Sequence, residues 1–417
     1  MKKVLVLLTL LIIFPVNAHQ QHSHKWLDEY DGYHNCIREW WNIDAFIQAE
    51  KNYSITASFE YEKETPAANL FFTVFDWDGK KAYDCGSYGD DISAMRCFGK
   101  YEANISYGKS WLRGGYPRYK VHFENKGIIV DIEIQAEARA VFVAEGEGSI
   151  LPMGFGYYRY MFIPKCRANG WIFIDGKLQE FTGVAYYEHV WGNWSYHNPL
   201  KGCTIKPYIS LAKWWWENKN ISFHNLSFSS NNPFGYDWAW ISFDNGWSMF
   251  YGMIPFWMEE IPFGIAYLYD GKEVIEIGSI NYEYLDGIVY GGAYIPTKIK
   301  VDMEGEGKLS MVMEMDNEAH VYEDKLRSIY WKKLILYECP GKINGYYEKD
   351  GEKLGLKGRC EIEIERQVSM LEYLSLKIVP EKDGVRILFL SCLLGVAAEL
   401  QISFSPFSIN FSFSHIG

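Results

Sequence analysis

The chain reads as an all-β protein, mainly antiparallel and arranged as two related β units. Three observations predict this. Aromatic residues make up 17% of the 417 positions, with 16 Trp, 31 Tyr and 25 Phe, and large rings favour strands and also line cavities for apolar ligands. Turn dipeptides recur along the whole length, at Asp78-Gly79, Asp175-Gly176, Asn245-Gly246, Asp270-Gly271, Asp286-Gly287, Asp350-Gly351 and Asp383-Gly384, and such pairs supply the positive φ angles of tight hairpins. The third is an internal echo. "DGKLQEFTG" from Asp175 to Gly183 resembles "DGEKLGLKG" from Asp350 to Gly358, and a tryptophan pair opens each half, "REWWNID" from Arg38 and "YDWAWISF" from Tyr236. Two echoes in the same order predict two units of about 150 to 180 residues, each closing into a barrel or sandwich that removes its exposed edges.

Taken from the N-terminus, Lys2 and Lys3, the apolar run Val4 to Val16 and the small-residue pattern Val16-Asn17-Ala18 predict a secretory signal peptide over 1–18, cleaved near Ala18, and hence an exported protein. The run falls short of the ~20 apolar residues of a membrane anchor. A lead segment follows over 19–35, where His19, His22 and His24 lack the carboxylate or cysteine that would complete a metal site. No metal is expected. The first β unit is assigned to 36–205 and the second to 206–380, with the Asn-rich stretch from Asn193 to Asn232 as their connection. "GWIFIDGKLQEFTG" and "YDWAWISFDNGWSMFYG" read as strand, two-residue turn, strand, and no capped helical period runs beyond about three turns, so helix should be minor. An apolar tail covers 381–417. Its uncharged run Ile387 to Ala398 is expected to form a buried terminal segment followed by a strand, with peripheral membrane contact as the sharper alternative.

Composition excludes several functions. The balance of 41 basic against 53 acidic residues, without a long run of either sign, leaves no electrostatic footprint for nucleic acid. Eight cysteines in an exported chain permit disulfides, and Cys85 with Cys97 could close a short loop, while the absence of a CxxC pair argues against structural zinc. No G-x-S-x-G, H-E-x-x-H or phosphate-cradling glycine loop occurs, so serine hydrolases, zinc proteases and nucleotide enzymes lack their signatures and no cofactor is called for. The triple tryptophan Trp214 to Trp216 would serve inter-domain packing, or a glycan or membrane platform.

The stretch "GVAYYEHVWGNW", Gly183 to Trp194, carries the chemistry. On a regular strand Tyr186, Glu188 and Val190 point one way and Tyr187, His189 and Trp191 the other, so Glu188 and His189 enter one cavity together only across a bulge. A carboxyl facing an aromatic-lined cavity loses solvation, and its pKa rises to where it persists as a proton donor. Protonating an alkene makes a carbocation that aromatic faces stabilise and water can quench. The bland alternative is a solvated Glu188 with a structural His189. "IREWWNIDAF" offers a similar choice: Arg38, Trp40, Asn42 and Asp44 share one face, either with Arg38 and Asp44 as a rim ion pair and one tryptophan in the core, or with tryptophan lining a cavity. An acidic residue recurs at Glu363, five positions past Gly358, with no histidine after it.

These pieces resemble the carotenoid 1,2-hydratase and AttH-like family of paired lipocalin-like domains, a group related to kievitone hydratase and some Diels-Alderases. The matching segments are "EWW" at Glu39 to Trp41, "YYRY" at Tyr157 to Tyr160, "GVAYYEHVWG" at Gly183 to Gly192, which is similar to the family's D-H-x-W-G signature, "WAWISFDNGWSMFYG" from Trp238 and "YIPTKIKVDM" from Tyr294. The resemblance implies two tandem lipocalin-like (calycin) antiparallel β-barrels with a hydrophobic pocket in or between them, where acidic and aromatic residues protonate an isoprenoid-like double bond. Glu188 stands where the family has aspartate, and Asn42 where it has tyrosine or phenylalanine. The expectation is an exported protein that binds an isoprenoid- or lipid-like molecule and hydrates or isomerises it without a cofactor. Glu188 would donate the proton, His189 would orient it or activate water, and Trp40, Trp41, Tyr158, Tyr160, Tyr187 and Trp191 would line the pocket. The alternative is a non-catalytic lipid or glycan carrier with the same pocket.

Overall fold

The computed structural model describes residues 31–415 apart from 144–149, 154–155, 199, 208, 210–212, 214–225, 230–234, 255–262, 278, 327–330 and 371. The expected leader, His19, His22, His24 and Trp214 to Trp216 lie outside the described residues. Apart from a 3-10 turn at Ile92–Ala94 and isolated helical residues between 206 and 213, the regular structure is strand.

Two curled antiparallel sheets dominate. The first runs from β1 (Arg38–Gln48), β2 (Asn52–Glu62) and β3 (Ala67–Asp76) through β4 (Ile128–Ala136) to the long hairpin β5 (Gly156–Ile174) and β6 (Lys177–Asn193). Its central order is β3-β2-β1-β6-β5-β4. The second sheet has the same plan, with β7 (Tyr236–Phe243) beside β9 (Glu352–Ser369), and β9 hairpinned to β8 (Trp331–Lys349). The echo in the sequence therefore extends to whole strands: β5 starts at 156 and ends at 174, β8 starts at 331 and ends at 349, and both are shifted by 175 positions. Both hairpins turn on the same dipeptide, Asp175-Gly176 with φ of 54° and 75°, and Asp350-Gly351 with φ of 54° and 82°. Aspartate tolerates this left-handed region better than most residues and glycine enters it freely, which is why the pair recurs.

The repeated glycine at the end of each echo has a different cause. A Cβ on Gly183 would lie 2.2 Å from the carbonyl oxygen of Phe46, and one on Gly358 would lie 2.1 Å from that of Ser242. Each glycine thus lets the hairpin's second strand press against the preceding strand, β1 or β7, at the same point.

Three apolar cores follow from strand alternation. Ala185 and Tyr187 of β6 join Trp41, Ile43, Ala45 and Ile47 of β1 inside the first curled sheet. Ala239, Ile241 and Phe243 of β7 join Ile362 and Ile364 of β9 inside the second. The opposite faces meet each other, so Phe46, Tyr160, Phe162 and Tyr186 pack against Trp238, Trp240 and Phe250 as a third core between the halves. Phe46 stacks on Trp240 at 4.7 Å between ring centroids, and Phe162 on Phe250 at 4.6 Å. The two halves are joined by an interior, not by a solvated contact.

Two expectations are corrected. All eight cysteines are free thiols; Cys85 is buried in the first core with its thiol directed at the carbonyl of Tyr83, and it forms no bond to Cys97. The tail is not a buried segment. The run Ile387 to Ala398 is interrupted by a turn at residues 392–395, closed by Gly395 at φ 63°, which folds it into β11 (Gly384–Ser391) and β12 (Val396–Phe404), flanked by β10 (Leu374–Glu381) and β13 (Phe407–His415) in an open meander.

The close approach at the repeated glycines makes a stability prediction. Gly183→Ala and Gly358→Ala each place a methyl group against a backbone carbonyl that cannot rotate away, and each should cost about 1 to 3 kcal/mol in denaturant unfolding. Wild-type stability in both variants would contradict the packing described.

Candidate active site

The register between β1 and β6 runs without interruption from Arg38 opposite Gly192 to Gln48 opposite Thr182. No bulge re-aims the central residues, so strand alternation decides where they go. Glu188 points to the third core, between the halves, and His189 points into the first sheet. They do not share a cavity.

Glu188 is 5% exposed and is held by donors from three strands. Trp40 of β1 donates its indole N–H to Oε1 at 2.8 Å, Tyr186 of β6 donates to Oε2 at 2.8 Å, and the Tyr160 hydroxyl of β5 donates to the same Oε2. Trp238 of the second half donates to the Tyr160 oxygen at 2.9 Å, so the cluster spans both halves. Burial pushes the Glu188 carboxyl up, against the opposing pull of hydrogen bonds from Tyr160, Trp40 and Tyr186. Burial and the Glu188 charge push the phenols of Tyr160 and Tyr186 well above their ordinary value. They stay protonated and act as donors.

This cluster forms one wall of a crevice between the halves. Its enclosed free space is about 110 Å³, within a total of about 1170 Å³ that includes the opening to solvent. The inner space suits one ring or short chain and is smaller than the ~300–1,000 Å³ of typical small-molecule sites, so a larger ligand would extend toward the opening. Trp40, Tyr158, Leu151, Met153, Phe250 and Leu334 give it apolar walls.

The opposite wall repeats the first. Glu363 of β9 is the 175-shifted counterpart of Glu188, and Tyr236 of β7, the counterpart of Trp40, donates its hydroxyl to Glu363 Oε1. Burial and the nearby Glu338 push Glu363 well above the carboxylate range. Glu365 accepts from Tyr196 at 2.7 and 2.9 Å and is pushed up to about 8 by burial. Arg38, also on the wall, pairs with Glu60 and with Glu62 at 3.2 Å. The expected pairing with Asp44 does not form, because six residues along a strand span about 20 Å; Asp44 accepts from Asn42 at 2.8 Å instead. Burial thus favours the protonated form of Glu188, Glu363 and Glu365 on the crevice walls.

The inward face of β6 has another character. His189, 0% exposed, contacts Glu39 at 2.9 Å through Nε2, stacks on Trp41 at 4.7 Å and lies 4.8 Å from Trp191. Glu39 also accepts from Tyr61 at 2.6 Å and contacts His34 Nδ1 at 3.0 Å, and His34 stacks on Trp191 at 4.1 Å. Burial acts to raise the Glu39 carboxyl, but the bonds and charges of His189 and His34 outweigh it and hold the group low. Among the described residues His34, Glu39 and His189 are the one cluster whose ligand atoms lie close enough to share a metal ion; their hydrogen bonds to one another and to Tyr61 already account for the arrangement. Tyr187 donates to Asp31 at 3.3 Å and stacks on Tyr119 at 4.1 Å. Of the expected site residues, Glu188, Trp40, Tyr158 and Tyr160 stand on the crevice. His189, Trp41, Tyr187 and Trp191 face away from it, as their odd place in the alternation requires.

Tyr186, which holds Glu188, and the crevice residues Trp238 and Tyr236 are outside the expected set, and Glu363 stands in it only as a recurring acid. The alternation from Glu188 points to Tyr186, and the 175-residue shift points to Glu363.

The fold defines a class, paired lipocalin-like sheets. Solved structures share this fold: a protein assigned as AttH from Nitrosomonas europaea, at 15% identity and TM-score 0.56 over 85% of this chain and 100% of its own, and kievitone hydratase from Nectria haematococca, at 12% identity and TM-score 0.54 over 79% of this chain and 88% of its own. The fold is the AttH-like fold. No protein-family model and no curated protein sequence matches the chain.

Two predictions follow from the contrast between the faces. His189→Ala removes one partner of a buried pair and should cost about 3 kcal/mol in unfolding free energy, while the Glu188 cluster stays intact; a loss below about 1 kcal/mol contradicts the bracing role. Glu365 titrates near 8 when folded and near ~4.3 when unfolded, so between these values the folded protein holds more protons and its stability falls as pH rises. Thermal unfolding from about pH 5 to 9 should show the wild type losing ground to Glu365→Gln as pH increases, and a constant difference would refute the shift.

Proposed function

We propose that the chain binds a neutral, largely apolar small molecule, isoprenoid- or lipid-like, in the crevice between its two halves, and hydrates or isomerises it by acid catalysis without a cofactor. The observation that carries this reading is Glu188: a buried carboxyl with a raised pKa, on a largely apolar cavity, hydrogen-bonded among the described residues by the neutral donors Trp40, Tyr160 and Tyr186.

In this reading the protonated Glu188 gives its proton to one carbon of a double bond, and positive charge develops on the neighbouring carbon. The faces of Trp40 and Tyr158 stabilise that charge through their quadrupoles. In hydration, water adds to the cation and its released proton returns to the Glu188 carboxylate; in isomerisation, the carboxylate removes a proton from an adjacent carbon and the double bond shifts. Tyr160 and Tyr186 steady the carboxylate during the interval by donating to it. His189 acts as a brace of β6 and not as a water activator. A fold neighbour that is itself a hydratase supports the reaction class. With the expected leader, the reaction would take place outside the cytoplasm.

The test begins with mass spectrometry of small molecules extracted from protein purified from its own host. An isoprenoid or lipid should be recovered, and Glu188→Gln should bind it with nearly unchanged affinity while its turnover falls by about 10²-fold or more, the size of a general-acid contribution. Retained binding with no turnover even in the wild type identifies a carrier, and an empty crevice overturns both versions.

A further inference from the structure

The C-terminal meander belongs to a third sheet, whose β10 edge is extended by a short strand, Leu226–Ser229. β10 to β13 pair in chain order with uninterrupted register, so residues directly opposite one another project from the same face. One cross-strand row reads Ile378, Ile387, Leu400, Phe411, and the next carries Ile402 opposite Ile409. This face is apolar from edge to edge. The other face is polar: Arg386 pairs with Glu381 at 3.2 Å and Glu399 at 3.9 Å, and Gln401 donates to Glu381 at 3.0 Å.

An amphipathic sheet normally lays its apolar face on a core. Here it does not. β10 to β12 are partly buried along almost their whole length, with few residues fully covered, and all of β13 is exposed, with Phe411 at 67% and Ile409 at 57%.

We propose that this face is a self-association surface, on which two copies of the chain pack their C-terminal sheets together as a sandwich. Four strands about 4.8 Å apart, each with some eight residues rising about 3.3 Å, outline roughly 500 Å² before side-chain relief is added. That is the scale of one partner's share of an ordinary dimer, about 800 Å² of accessible surface. A flat face without charge meets its own copy without repulsion, and a two-fold arrangement of open sheets gives the familiar spacing of about 10 Å with aligned strands. A membrane surface fits less well, because the chain carries a net charge of −12 and the lysine and arginine of this sheet, Lys377 and Arg386, lie on the face turned away.

Sedimentation velocity on the full chain tests the proposal, with Phe411→Glu on the apolar face and Ser412→Glu, the next residue on the opposite face, as its control. The wild type and Ser412→Glu should be dimers at micromolar concentration, and Phe411→Glu should weaken dimerisation at least tenfold while keeping the wild-type circular dichroism. Should Phe411→Glu not fold, Phe407→Ser provides the milder disruption. A monomeric wild type, a dimer indifferent to both apolar-face variants, or equal dissociation by Ser412→Glu would each overturn the proposal. Phe411-dependent flotation of a monomer with phosphatidylcholine vesicles would overturn it in favour of a lipid surface.

Discussion

Each side chain on Lys177–Asn193 must point either into the first curled sheet or toward the second half, and the rest of the structure depends on that two-residue period. It separates adjacent residues of opposite function. Glu188 and His189 are bonded neighbours, yet the first belongs to the contact between halves and the second to a barrel interior. The same period on β1 gives Trp40 to the crevice and Trp41 to the core. Because the outer faces of both long hairpins are apolar, the halves must cover them with each other, and the crevice is the space that their polar residues keep open.

Two of the buried glutamates of the first half, Glu39 and Glu188, show how environment divides one chemistry into two roles. Glu39 meets two histidine rings, whose bonds and charges outweigh burial and favour the carboxylate. Glu188 meets only neutral donors in its described contacts, so burial prevails and the acid is favoured. Removing a carboxylate from water is costly unless opposite charge or strong donors compensate. The protein compensates fully at the brace and incompletely at the crevice. The second half repeats the incomplete case at Glu363 and Glu365, whose carboxyls burial also pushes up.

Much of the fold was legible in the sequence because its signals are local. The turns at Asp175-Gly176 and Asp350-Gly351 mark both long hairpins, and the echo around them revealed the duplication. Alternation alone also separated Glu188 from His189. What the sequence could not show is which face of β6 turns toward a cavity: Tyr187 and Trp191 are as aromatic as Tyr186 and Trp40, and composition does not distinguish a packed interior from a crevice. That depends on contacts across hundreds of residues, such as Trp238 on Tyr160 and Ser54 on Glu361. The tail departs from its expectation for a related reason. Its apolar run looks continuous in sequence, but Gly395 divides it into two strands whose apolar side nothing among the described residues fully covers.

The central claim is that the paired halves hold Glu188 as a carboxylic acid beyond the pH at which an ordinary glutamate has lost its proton. Infrared difference titration of the wild type against Glu188→Gln tests this directly, since the carbonyl stretch of a protonated carboxyl is distinct from the carboxylate bands. The account predicts a protonated-carboxyl band, missing from the variant, that persists clearly above the ordinary glutamate range and then disappears as pH rises. A Glu188 band that vanishes at or below that range would contradict it.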